Sequence, residues 1–266
     1  MNPVRGVIMD LDGTTYAGNT EIPGARTFIS KLRSYGIKVM FATNRANRTP
    51  KEIAEQLVDM HIPCSPSDVL TTAEATAWYL ANKNDKKKKT AFCIGEQGLL
   101  SALKTVNIII TDNKPDYVIV SIDRDFNYEK LTKACCLINN GAKFIATNPD
   151  VKLKVDSGFV PGTGAIVAAV RAATGVKPLV IGKPGKLLFE MTIHQLKMRP
   201  DEVIAIGDNI STDIPAGIKA GIRTALLLCG VSSMKDIKRS RYKPTWIASN
   251  FDELWKILSP CIRKQK

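Results

Sequence analysis

The feature that most constrains this chain is an alternation. Short β-branched or apolar runs, "GVIM", "IKVMFAT", "TAFCIG", "DYVIVS", "KFIAT", "PLVIG", "EVIAIG" and "RTALLLC", are separated by amphipathic stretches. The periodicity predicts helices over Ala25 to Tyr35, Pro50 to Asp59, Thr72 to Leu80, Tyr128 to Asn139, Gly164 to Ala173, Lys186 to Leu196 and Asp252 to Leu258. Runs apolar on both faces are what a parallel strand needs when helices cover it above and below. The chain therefore reads as α/β, a Rossmann-like core with a parallel sheet. No close internal repeat is present.

In open sheets of this kind, ligands bind beyond the carboxyl ends of the strands. Four strand ends carry polar residues suited to one phosphate-and-metal site: Asp10-Leu11-Asp12-Gly13-Thr14 after "VIM", Thr43-Asn44 after "VMFA", Gly182-Lys183-Pro184 after "PLVI", and Gly207-Asp208-Asn209 with Asp213 after "VIAI". The stretch between Thr43 and Lys183 is long and has strand and helix signals of its own, which predicts an inserted α/β domain. The expected division is 1–80 for the first part of the core, 81–179 for the insertion and 180–266 for the second part. "NKNDKKKK" and "TGVKP" read as the two hinge linkers.

Side chains alternate along a strand, so if the extended geometry persists past Met9, Asp10 and Asp12 point to one side with Leu11 opposed. Two carboxylates held together stay ionised only beside a compensating cation. With Asp208 and Asp213 they form a set of hard oxygen donors, and Mg2+ suits such a set. A carboxylate beside a metal-bound phosphate can act as nucleophile, and a second can move the proton as acid and then base. Thr43, Asn44, Lys183 and the backbone N–H groups after Gly13 are candidate donors to phosphoryl oxygens. Each piece alone is an ordinary structural device: Asp-Gly is a strong turn pair, Thr43 and Asn44 can end a strand, Lys183 can lie on a solvated loop, and Asp213 can cap a helix with Pro215 in its first turn. Independent turns and caps would not supply an acid pair, a hydroxyl, a lysine and a second acid pair at successive strand ends.

Charge and cysteine usage narrow the setting. The net charge of +13 creates a field that attracts phosphorylated metabolites, nucleic acid or an anionic surface. Much of the excess lies in Asn84 to Thr90, Lys238 to Lys243 and the terminal "RKQK", which read as solvated loops. There is no aromatic-interleaved basic motif, which argues against a nucleic-acid module. The six cysteines show no metal or redox spacing and read as buried thiols, consistent with a reducing cytoplasmic setting. No run approaches the length of a membrane helix. His61 and His194 lack partners in the pattern and read as core or surface residues, not catalytic ones.

The residues "DLDGT", "FATN", "IGKP" and "GDNISTDIPAG", with "SIDRDFNYEKL", "FIATNPD" and "GFVPGTGAIVAAV" in the insertion, resemble the haloacid dehalogenase (HAD) superfamily in its NagD-like, nitrophenylphosphatase-like branch. The resemblance covers essentially the whole chain. It implies that Asp10 is the nucleophile and a magnesium ligand, and that Asp12 is the general acid/base with its carbonyl on the metal. Thr43, Asn44 and Gly13 would bind the transferring phosphoryl group. Lys183 would neutralise that group and steady Asp10. Asp208 would complete the metal ligands, with Asp213 and Asn209 behind them. The branch implies a type-two α/β cap over the site, a small phosphorylated metabolite as substrate and a homodimer through the cap. Arg124 and Asp125 are then specificity candidates, unless Asp123 to Asn127 is only a charged turn, and Thr147 to Asp150 is a family feature or an Asn-Pro turn. Two departures stand out: Arg45-Ala46 where relatives read Asn-Ser, and Ser121 where Gly is usual. Arg45 is a further anion contact in this reading. The expected function is a magnesium-dependent phosphatase. Its rivals are a phosphotransferase using the same aspartyl-phosphate and a non-catalytic basic protein that binds nucleic acid.

Overall fold

The computed structural model describes residues 3–83, 88–155 and 158–262. The middle of the lysine run, 84–87, and the basic tail, 263–266, lie outside the described residues. The chain forms two compact units, one from Met1–Thr43, Pro50–Leu70 and Lys183–Lys266, the other from Asn44–Thr49 and Thr71–Gly182.

The first unit holds a six-stranded sheet in the order Trp246–Ala248, Arg223–Leu227, Val203–Gly207, Gly6–Met9, Lys38–Thr43, Val69–Thr71. The pairings from Trp246–Ala248 through Lys38–Thr43 are parallel, with Met9 level with Ile206 on one side and Phe41 on the other. All four residues of Gly6–Met9 are buried, as a strand covered on both faces must be. One face carries Val7, Met9, Val39, Phe41, Ile204 and Ile206 against Phe28, Ile29 and Leu32 of helix Ala25–Ser34 and Leu254 and Leu258 of helix Phe251–Leu258. Each such side chain contributes about 1.5–3 kcal/mol on burial. Helices Leu187–Leu196 and Asp213–Lys219 also pack on this sheet. From the central strand Gly6–Met9 the chain builds outward one way through Lys38–Thr43, then returns to build the other way from Val203–Gly207. The reversal falls between the strands that end at Met9 and Gly207, and this is where an open parallel sheet leaves a crevice.

The second unit has its own five-stranded parallel sheet, ordered Leu179–Val180, Lys143–Ala146, Tyr117–Val120, Thr90–Ile94, Ile109–Ile110. Helices Tyr128–Asn139 and Thr163–Thr174 supply Ala134, Ile138, Ile166, Val167 and Val170 to its core. An antiparallel hairpin joins Lys152–Val155 to Gly158–Pro161.

The α/β class expected from the alternation is the one adopted, with four local corrections. "PLVI" does not feed the sheet of the other three motifs: Leu179–Val180 pairs with Lys143–Ala146 in the second unit, and the N–H groups of Ile181 and Gly182 extend that ladder to Ala146 and Thr147. Lys238 and Arg239 are not loop residues but close a helix, Met234–Arg239. A polar run with one buried apolar residue, Ile237, hides this helix from periodicity; Ser233 and Asp236 start it with reciprocal capping bonds. Lys89 is buried, and its Nζ donates to the carbonyls of Leu80 and Lys83 at 2.6 and 3.2 Å, closing the end of helix Thr72–Ala81. The thiols are not deeply buried: Cys136 is exposed and the other five are intermediate, all six free. His61 and His194 are at the surface. Among the described residues, no helix is long and apolar enough to cross a membrane.

Candidate active site

The site grows from the two strands at the reversal. The parallel ladder continues one step past Met9, with the Asp10 N–H donating to the Ile206 carbonyl at 2.9 Å. The chain then turns. The Gly13 N–H donates to Tyr16 O at 2.8 Å, the N–H of Thr15 reaches Leu11 O at 2.8 Å, and the Thr15 hydroxyl donates to Asp10 O at 2.7 Å. Leu11 enters the core while Asp12 stays exposed. Gly13 is required here twice over: its φ is 88°, in the left-handed region, and a Cβ would stand 2.6 Å from Asp208 Oδ2.

Asp208 follows strand Val203–Gly207, and both its oxygens are engaged. Oδ1 accepts from the Thr14 hydroxyl at 2.9 Å, and Oδ2 from the Val231 N–H at 2.7 Å. Asp213, the first residue of helix Asp213–Lys219, accepts from the Asn209 N–H through Oδ2 at 3.0 Å. Asn209 Oδ1 in turn accepts from the Ser211 N–H at 2.9 Å. Asp10, Asp208 and Asp213 offer carboxylate oxygens that lie within 4.8 Å of one another. Lys183, with a side chain 3% exposed, binds the group together. Its Nζ donates to Asp10 Oδ1 at 2.6 Å, Asp213 Oδ1 at 2.7 Å and Ala42 O at 3.3 Å. Asp10 Oδ2 accepts no hydrogen bond among the described residues.

One ammonium against three carboxylates leaves an excess of negative charge in a dry place. Burial pushes the Asp10 carboxyl well above the usual range; Lys183 opposes the shift, and Asp213 and Asp208 add to it. Burial, then Asp213, pushes Asp208 up to about 6 against the Val231 N–H, the Thr14 hydroxyl and Lys183. Burial opposes the charge on Lys183, but Asp10 and Asp213 outweigh it and hold the ammonium protonated well above the usual lysine range. Three clustered hard-oxygen donors with unmet negative charge fit a divalent metal cation.

The other expected residues fall into two groups. Thr43 ends strand Lys38–Thr43 of the first unit and is buried. Asn44 and Arg45 belong with the second unit. There the Asn44 Nδ2 donates to Asp150 Oδ2 at 3.0 Å, its carbonyl accepts from Asn148 Nδ2 at 2.8 Å, and Arg45 O accepts from the Thr72 N–H at 3.1 Å. Arg124 and Asp125 are exposed on the segment that follows strand Tyr117–Val120. One carboxylate, Glu96, accepts both the Arg124 N–H at 3.2 Å and its guanidinium at 2.8 Å. Ser121 is buried and accepts from the Thr147 hydroxyl at 3.1 Å.

Sequence reasoning missed Thr14, the Val231 amide and the Asn148–Asp150 clasp on Asn44. Thr14 lay inside a quoted motif and could have been singled out, while Thr147 to Asp150 was read as a family feature or an Asn-Pro turn, with no role toward Asn44. Gly230-Val231 had no signal beyond its glycine, where a Cβ would overlap Asp208.

A parallel sheet with acids at its point of reversal, a lysine bridging two of them and an inserted α/β unit define the haloacid dehalogenase-like hydrolases, and the chain belongs to this family, in its NagD-like branch. Residues 7–109 match the haloacid dehalogenase-like hydrolase family, and residues 180–254 match a second, HAD-hydrolase-like one. The chain is 37% identical over 253 residues to the 5'-nucleotidase YutF of Bacillus subtilis, covering 95% of this chain and 98% of that protein. It is 39% identical over 247 residues to an acid sugar phosphatase of Staphylococcus epidermidis, covering 92% and 95%. Among solved structures, NagD of E. coli K-12 superposes with a TM-score of 0.89 at 34% identity, over 95% of this chain and 98% of that one.

Proposed function

We infer that the chain is a magnesium-dependent phosphatase that hydrolyses a small phosphomonoester through an aspartyl-phosphate on Asp10. The observation that carries this reading is the ion pair of Asp10 with Lys183 at 2.6 Å, which occupies one carboxylate oxygen and leaves Oδ2 without a hydrogen-bond partner among the described residues. In this reading Oδ2 attacks phosphorus, and Asp12 gives a proton to the departing alcohol. Asp12 then takes a proton from water, which attacks the same phosphorus, releases inorganic phosphate and regenerates Asp10. Thr43, Asn44, Lys183 and the N–H groups after Gly13 receive the phosphoryl oxygens. Asp213 holds Lys183 at 2.7 Å, and Asn209 steadies Asp213. Asp10, the carbonyl of Asp12 and Asp208 would hold Mg2+, which when bound supplies positive charge to the phosphoryl oxygens.

Residues 81–179 serve as the cap in this reading, with Arg45, Arg124 and Asp125 as specificity residues and a homodimer as the assembly. Six free thiols support a reducing, cytoplasmic setting. Relatives named as a 5'-nucleotidase and an acid sugar phosphatase make nucleotides and sugar phosphates the first substrates to try.

The test is a panel of phosphorylated sugars, nucleotides and small acids, assayed with Mg2+ and after chelation. Release of inorganic phosphate without an added acceptor is expected, and its absence would transfer the reading to a phosphotransferase. Chelation should abolish turnover and Mg2+ restore it. Asp10→Asn should lower kcat by at least about 10³-fold, since a carboxamide cannot form the acyl-phosphate; undiminished turnover would remove Asp10 from its role.

A further inference from the structure

The acid cluster does not by itself attract a phosphate dianion. One ammonium faces three carboxylates, so even a bound divalent cation would only bring the group to neutrality. Attraction at a distance must come from elsewhere in the unit, and one surface is placed to provide it.

The loop after strand Arg223–Leu227 is clasped onto Asp208. The Val231 N–H donates to Asp208 Oδ2 at 2.7 Å, the Ser232 N–H to Asp208 O at 3.2 Å, and the Ser232 hydroxyl accepts from the Ile210 N–H at 2.8 Å. Helix Met234–Arg239 follows at once, and its buried Ile237 packs with Ile210, inside the Asp208–Asp213 turn, and Ile214, just after it. From this fixed position the chain exposes Lys235, Lys238, Arg239, Arg241 and Lys243. Asp236 is the one acid in that stretch, and its carboxylate is bonded to Ser233. None of the five cations forms an ion pair among the described residues. Lys219 joins them: its Nζ donates to the carbonyl of Pro184, the residue after Lys183, at 2.7 Å and lies 5.9 Å from the Tyr242 ring, whose other cation is Arg241 at 4.8 Å.

We propose that this basic surface, Lys235 to Lys243, captures the phosphorylated substrate by long-range attraction and favours esters whose leaving group carries a further negative charge. The inference rests on the phosphatase reading. Four residues of chain separate Val231 from Lys235, so at most about 14 Å lies between them, against a screening length of roughly 30 Å at 0.01 M salt and 8 Å at 0.15 M. The field therefore reaches the site at low ionic strength and fades as salt is added. Cations of this kind act on capture, and so on kcat/KM, while kcat depends on the groups that touch phosphorus.

The test compares two variants with the same change in net charge. K235E/K238E reverses the proposed surface. K38E/K197E reverses two lysines at the opposite ends of the strands: Lys38 opens the strand that closes at Thr43, and Lys197 precedes Met198, which packs on Gly6. Each is assayed with 4-nitrophenyl phosphate and with 4-carboxyphenyl phosphate at 0.01 and 0.5 M NaCl. At low salt, K235E/K238E should lose about tenfold in kcat/KM on the carboxylated ester, less on the other, with kcat held. High salt should erase the difference, and K38E/K197E should stay within about twofold of the parent. Equal losses from both variants, or none from K235E/K238E, would overturn the proposal. Binding of benzylphosphonate and its 4-carboxylate to the unmodified protein reads capture without turnover. Absence of any hydrolysis with the binding contrast intact would reject the phosphatase reading and keep the surface; hydrolysis with no contrast would do the reverse.

Discussion

The two sheets are built alike, parallel and buried under helices, and their carboxyl ends differ in how charge is balanced. Beyond the strands of the first unit, three clustered carboxylates, those of Asp208 and Asp213 buried and that of Asp10 nearly so, share one ammonium, and Asp10 and Asp208 are both pushed up by burial first. Beyond the strands of the second unit, charges meet in even pairs: Lys130 with Asp123 at 2.8 Å, Arg124 with Glu96 at 2.8 Å. Apart from Asp123, buried polar groups there include neutral ones bonded to one another, as with Thr147 to Ser121 and Asn148 to Thr163. A scaffold that only needs to stay folded satisfies its strand ends in pairs. An uneven count is tolerated where a ligand is to complete it, and this marks the first sheet as the one with chemistry.

The comparison breaks most visibly if the lone ammonium is removed. Lys183→Met leaves Asp10 and Asp213 buried without a counter-charge, so a loss of about 3–5 kcal/mol is expected in denaturant unfolding. Partial recovery in Lys183→Met/Asp213→Asn would show that the loss arises from the unpaired charge and not from the missing side-chain volume. Gly13→Ala is the next largest. It forces a Cβ into the left-handed region 2.6 Å from Asp208 Oδ2, for a loss of about 1–3 kcal/mol and a fall in activity with it. A fully active Gly13→Ala would show that the turn has room that the contacts deny.

These residues also mark how far the sequence alone could be read. Asp10, Lys183 and Asp208 were legible because each lies within two residues of the end of an apolar run, and Asp213 because it follows Asp208 in the same motif. The assignment of "PLVI" to the same sheet failed because a run specifies a strand and not its partner: Leu179–Val180 pairs with Lys143–Ala146, a contact between segments far apart in the chain. Helix Met234–Arg239 failed for the opposite reason, since one buried Ile237 makes no period and the Ser233–Asp236 cap that starts it reads as a polar loop. Lys89 was lost in a run of identical residues, and nothing in the sequence marks it as the donor to the free carbonyls of a helix end.

In the second unit the same kind of removal should cost less, because the charges of its two strand-end pairs, Lys130–Asp123 and Arg124–Glu96, are matched one to one. Asp123 grades the effect. Its side chain is 4% exposed, with Oδ1 accepting from the Asp125 N–H at 2.9 Å and Oδ2 from Lys130. Asp123→Ala should cost about 1–3 kcal/mol, chiefly through the amide left without an acceptor. Arg124→Ala, whose pair with Glu96 is solvated, should cost no more than about 1 kcal/mol. If Arg124→Ala proved the more damaging of the two, pairing would not be what stabilises this strand end.

The smallest expected effect reads the charge imbalance directly, through two thiols that serve as reporters. Burial alone pushes Cys93, in the second unit, up to about 12. Cys229, in the first, is pushed up to about 11 by burial and then by the charge of Asp208; its Sγ lies 3.6 Å from Gly13 O. Only the thiolate is alkylated, so below these values the rate for each should climb tenfold per pH unit through pH 8–10 with no plateau, where an ordinary thiol of pKa near 8.5 levels off. Asp208→Asn removes the charge and leaves the burial. Cys229 should then react faster at a given pH, and Cys93 should not change, as followed by mass spectrometry of the alkylated peptides. Equal acceleration of both thiols would mean general loosening of the fold. Acceleration of Cys229 alone would tie the excess negative charge to the carboxyl end of the first sheet.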